Sequence, residues 1–122
     1  MADLNWRTAK LDWLFCSLLA VAASGHLFGT LTLYEHGTSL FVWSLAGVLC
    51  AALLVALNVL RIGRPNDRSL IWVCLVGCLC WVMIAVMFGQ SVGNVLDPRV
   101  LLHALAAAGL AALSLRALQR AE

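Results

Sequence analysis

His26 and His103 each stand inside a long apolar stretch of a 122-residue chain. Ionisable groups in such surroundings usually face the interior of a helix bundle and mark a site. Two neutral imidazoles presented by separate helices are the donor set for bis-histidine ligation of haem iron, and a nearby carboxylate turns the set toward zinc or copper. His36 and Glu35 follow the first stretch closely. The residues expected to hold haem b or a transition metal are therefore His26 and His103, joined for a metal by His36 and Glu35. Gly25 and Gly29 flank His26 and would let a flat ligand or another helix approach the backbone. The opposing reading is that each histidine bonds across to a serine, threonine or carbonyl of a neighbouring helix, since the tight repeated spacing of a metal motif is missing.

Other polar residues suggest a different chemistry. Asn58, Gln90, Ser91 and Asn94, with the histidines, are candidates to line a route for a small solute. A proton-coupled carrier commonly needs a carboxylate within the membrane. The chain is similar to the small multidrug-resistance transporters in length and helix count, but those carry a glutamate in the first helix, whereas Glu35 falls at that helix's far end. Cys74 and Cys78 sit at i and i+4 on one helical face, a spacing compatible with a soft metal. In apolar surroundings, however, a thiol is inert and fills space, as expected here of Cys16, Cys50 and Cys80 too. Arg61, Arg64 and Arg68 suit anionic lipid headgroups, or simply anchor the topology.

The elements that must carry these residues follow from composition. Hydrophobic residues make up 63% of the chain and charged residues 11%, whereas a soluble domain averages roughly 45 to 50% and 25%. A soluble fold of this size leaves too much surface in water to hide so many apolar groups. About 20 apolar residues cross a hydrocarbon core of about 30 Å, and four stretches are long enough: about 11–34, 39–60, 70–90 and 98–118. The first begins near Leu11 and runs past the small residues Ala20 to Ser24, so it reads as a retained helix rather than a cleaved signal. Asp97 before Pro98 marks a helix start, Thr38 or Ser39 can cap the second helix, and Gly63, Pro65, Asn66 and Asp67 form a turn. Short connections make successive helices antiparallel.

Arg7, Lys10, Arg61, Arg64, Arg68, Arg116 and Arg120 fall at one end of this scheme and Arg99 alone at the other. Basic residues of short loops stay on the cytoplasmic side, so both termini are expected there. With that orientation His26 lies about eight residues, or ~12 Å, below the outer end of the first helix, and His103 about six residues, or ~9 Å, below the same face. Trp6, Trp13 and Tyr34 fall near the interfaces, and Trp81 well inside. Phe28-Gly29-Thr30 and Phe88-Gly89-Gln90 hint faintly at a duplicated hairpin. Gly25 with Gly29, Gly47, and the stripe Ala104, Ala108 and Ala112 supply the small residues on which membrane helices pack, within the bundle or against a partner.

These residues together imply a single transmembrane domain spanning 1–122, an all-α, up-down-up-down bundle of four helices with N-in/C-in topology in a bacterial inner membrane. Nucleic acid is not an expected partner, because no basic run is interleaved with aromatics. The expected role is that of a non-catalytic component that self-associates or joins a larger membrane assembly. The alternatives are a haem- or metal-binding redox protein using His26 and His103, and a small-solute carrier or channel.

Overall fold

A computed structural model describes the backbone of residues 2–120 and the side chains of residues 9–120. The side chains of Trp6 and Arg7 lie outside the described set. Four helices account for almost all of the backbone: α1 (Ala2–Leu33), α2 (Ser39–Gly63), α3 (Arg68–Ser91) and α4 (Pro98–Arg120). Each observed helix reaches beyond its expected stretch at one end or both. The most consequential extension carries α2 past Leu60, so that Arg61 is helical and buried rather than part of a loop.

The helix ends are closed by local chemistry. Thr38 caps α2, its hydroxyl oxygen accepting from the Phe41 amide at 3.2 Å. Asp67, expected only as a turn residue, caps α3 by accepting from the Leu70 amide at 3.0 Å. Asp97 does the same for α4 through the Arg99 amide at 2.8 Å, immediately before Pro98. Helix α3 ends in a Schellman arrangement: the Asn94 amide bonds to the Gly89 carbonyl and the Gly93 amide to the Gln90 carbonyl. That arrangement needs a residue in the left-handed region, and Gly93 supplies it with φ of 72°.

Successive helices run antiparallel around a closed circuit. Helix α3 packs most extensively on α4, α1 lies against both α2 and α4, and the α2–α3 contact is slighter. The interior is filled largely by small and medium groups: Cys16, Leu19, Ala51, Ile71, Cys78, Ala106, Ala107 and Leu110. Apart from Trp81, which joins the core, many of the bulkiest apolar groups point outward instead, with Trp43 74% exposed, Phe28 70% and Met83 63%. Water would not tolerate that distribution, but lipid does, because helices in hydrocarbon associate through close packing of small residues rather than by hiding large ones. All four helices are long and apolar enough to cross a bilayer. The chain is an integral membrane protein with four candidate spans.

The phase of each buried face is a separate matter from its existence. Helix α4 turns Val100, His103, Ala106, Ala107, Leu110, Ser114 and Leu118 inward. Its alanine stripe lies one step around the helix, leaving Ala104 half-buried and Ala108 and Ala112 exposed. Gly25 is exposed as well, and a methyl group placed on it would meet nothing within 4 Å. Gly29 would meet only its own helix, at Leu33. Of the glycines, the one packed most tightly against another helix is Gly109, where a Cβ would come within 2.6 Å of the Phe15 ring. Gly89 packs against the Val95 backbone, so the two Phe-Gly segments that hinted at a duplicated hairpin have different surroundings.

Candidate functional site

Two polar clusters lie inside the bundle, one toward each end. The first contains both histidines. His103, nine-tenths buried on α4, accepts a hydrogen bond at its Nδ1 from the indole N–H of Trp81 on α3, at 3.2 Å. His26 on α1 faces it with ring centroids 6.0 Å apart and ring planes nearly perpendicular, at 87°. His26 Nε2 lies 3.0 Å from the Ser44 hydroxyl of α2, and Ser44 lies 2.6 Å from the hydroxyl of Thr30. All four helices contribute to this cluster. Gly47 is also part of it, since a Cβ there would sit 3.7 Å from the His26 ring.

The protons of the cluster can be assigned by following the donors. Thr30 spends its single hydroxyl proton on the His26 carbonyl at 2.8 Å. Ser44 must therefore donate to Thr30, which leaves its oxygen as acceptor for His26, so the proton sits on His26 Nε2. Indole N–H is a donor only. His103 must accordingly carry its lone pair on Nδ1 and, when neutral, its proton on Nε2. The bonds form two sets, one joining α1 to α2 through His26, Ser44 and Thr30 and the other joining α3 to α4 through Trp81 and His103, and the two sets meet at the edge-to-face contact of the histidine rings.

This assignment bears on metal chemistry. A histidine that ligates a metal through one ring nitrogen normally donates the other N–H to a carbonyl or carboxylate. His103 instead accepts at Nδ1, so ligation through Nε2 would either break the Trp81 bond or require an imidazolate. Glu35 and His36 do not join the pair. Both are exposed in the α1–α2 turn, where His36 packs on Phe41 with ring centroids 4.8 Å apart. Among the described residues, no three groups of the His, Cys, Asp and Glu types converge as a metal would require.

The second cluster was not apparent from sequence. Asp12 on α1 and Arg61 on α2 form a buried ion pair. Arg61 Nε also donates to the Asn58 side-chain oxygen at 3.2 Å. The amide nitrogen of Asn58 in turn donates to the Leu54 carbonyl at 2.9 Å and meets the Cys78 sulfur at 3.5 Å. Cys74 and Cys78 are thus core thiols beside an amide and a guanidinium, and all five cysteines are free. The signal in sequence was an acid just inside the first apolar stretch and an arginine just past the second, at the same end of an antiparallel pair.

The residues suggested for a solute route do not join into one. Asn58 is enclosed in the ionic cluster, whereas Gln90, Ser91 and Asn94 are exposed at the opposite end. Ser91 bonds back to the Phe88 carbonyl at 2.8 Å, and Asn94 accepts from the Leu96 amide at 3.0 Å.

Searches against protein-family models, curated proteins and solved structures return no match for this chain. Its role must be argued from the side chains themselves. Among the described residues, Ser114 Oγ is the one buried side-chain polar atom without a partner. The other buried polar side chains, those of Asp12, Thr30, Asn58, Arg61 and His103, each have a partner.

Proposed function

We propose that the chain is a single-domain component of a bacterial inner membrane, with both termini cytoplasmic, that is non-catalytic and acts by associating with copies of itself or with other membrane subunits. The observation that carries this reading is the placement of small residues outside the bundle's own contacts. Ala108 and Ala112 line an outward-facing groove of about 420 Å³ between α3 and α4, together with Leu75, Leu79, Val82, Ala111 and Leu115. Small residues four apart let a second helix approach closely, and this stripe is not used within the chain.

The experiment is a mass measurement on complexes gently extracted from native membranes. The wild-type chain is expected in a species heavier than one protomer, and Ala108→Leu with Ala112→Leu, which fills the groove from outside the core, is expected to reduce that mass. A lone protomer under conditions that preserve lipid contacts would remove the proposal. Reporter fusions at each terminus test the orientation, supported here by seven basic residues at one end against one at the other.

The reading in which His26 and His103 ligate haem or a metal has their proximity in its favour and the Trp81 bond against it. An absorption spectrum and metal analysis of the purified protein decide between the two. A chromophore lost in His26→Ala or His103→Ala would put the cofactor reading first.

A further inference from the structure

The arginine-rich end of the bundle is hollow. Helices α1, α2 and α4, with the α2–α3 turn, surround a cleft of about 490 Å³, within the range of about 300 to 1,000 Å³ usual for small-ligand sites. Ile62, Leu113 and Ala117 give it apolar walls, and Asp12, Arg61, Arg116 and Arg120 give it charge. Asp12 and Arg61 neutralise one another. Arg116 and Arg120, four residues apart and hence on one face of α4, bring two further guanidinium groups to the cleft.

Arginines near helix C-termini have two ordinary explanations, compensation of the helix dipole and retention of that end in the cytoplasm. Either is satisfied by arginines facing any direction. Neither accounts for Arg61 from α2 and Arg116 and Arg120 from α4 lining the same hollow. Arg61 is also held in place, by Asn58 on one side and Asp12 on the other, so its ordering cost is met before anything binds.

We propose that this cleft binds a phosphate-bearing anion. Guanidinium groups match phosphate oxygens in a two-point fork that a lysine cannot reproduce. The source is either the headgroup of an anionic phospholipid, with acyl chains leaving along the apolar walls, or a soluble phosphate compound. The inference extends beyond the packing role and does not depend on it, because it concerns a different face of the bundle.

The test uses the full chain reconstituted into bilayer discs of phosphatidylcholine, with or without one part in about five of phosphatidylglycerol, a mixture in which polybasic surfaces are already attracted to the anionic component. Lipid retained after gentle release is counted by native mass spectrometry. Phosphatidylglycerol is expected to be retained in preference. Arg116→Ala with Arg120→Ala should abolish that preference, because it removes two of the three guanidinium groups that line the cleft. Arg64→Ala with Arg68→Ala removes the same charge from the same end without touching the cleft lining and should leave retention close to wild type. Arg116→Lys with Arg120→Lys keeps the charge and should lose most of the preference. In a second arm, inorganic phosphate is titrated into the phosphatidylcholine sample and thermal unfolding is followed. Stabilisation there without lipid preference assigns the soluble source, and lipid preference without stabilisation assigns the headgroup. Absence of both, or an equal loss in the Arg64 and Arg68 variant, overturns the site.

Discussion

The two ends of this bundle solve the same problem with different chemistry. Around His26 and His103 the polar groups are satisfied by two sets of hydrogen bonds, one between α1 and α2 and one between α3 and α4, that meet where the histidine rings touch. Around Asp12 and Arg61 the groups carry formal charge, engage three helices, and open onto a cleft. Neutral groups need only a partner to be tolerated in hydrocarbon, whereas a charge must either be paired or reach the headgroup region. The histidine cluster can therefore sit closed within the span. The ion pair sits near the helix ends, where the same arginine can both bind its carboxylate and face a ligand.

If this contrast is right, the ionic end should respond most strongly to losing one partner. Asp12→Ala leaves Arg61 buried and uncompensated and should cost roughly 3 kcal/mol of bundle stability, read from thermal or denaturant unfolding in detergent. Replacing both Asp12 and Arg61 with leucine should recover most of that loss, because the penalty lies in the orphaned charge. A single variant as stable as the wild type would show that the arginine escapes to water and that the pair is incidental.

Between the ends, the α1–α4 contact depends on Gly109. Gly109→Ala drives a methyl group into the Phe15 ring and should cost about 2 kcal/mol through overpacking, while Gly25→Ala, made where nothing lies within 4 Å, should leave unfolding unchanged. Equal effects from the two substitutions would contradict the helix phases described above.

The histidine end should give smaller changes. Trp81→Phe strands His103 Nδ1 without its donor and is expected to cost about 1 kcal/mol or more, with a changed His103 tautomer visible by nitrogen NMR. Ser44→Ala should cost about 0.6 kcal/mol, the average for interhelical hydrogen bonds in membranes. A double-mutant cycle with His26→Phe isolates that coupling, and zero coupling would mean that the ring is not held through Ser44.

The least effect belongs to the half-buried Asp97 at the start of α4. The guanidinium and amide of Arg99 pull its carboxyl down to about 2. A depressed acid contributes stability that is present above its ordinary value and is lost as pH falls through the lowered one. The small advantage of the wild type over Asp97→Asn should thus hold at pH 5 and disappear as pH approaches 2, in melting curves of the two proteins. An advantage that persisted unchanged into that range would exclude the carboxylate as its cause.

The linear sequence determined the number of helices, their approximate limits, the turn at Asp97-Pro98 and the similar depth of His26 and His103. Those features follow from runs of apolar residues and from backbone groups that need internal partners in lipid. It did not determine which side of each helix faces inward. Every face is apolar, so the sequence has no amphipathic phase from which to choose between Gly25 and Gly109, or between the Ala108 stripe and its neighbour. Contact among four helices made that choice, through fits such as Phe15 against Gly109. In the same step it joined Asp12 to Arg61, placed 49 positions apart in the chain, and gave His103 a donor rather than an acceptor for its inner nitrogen.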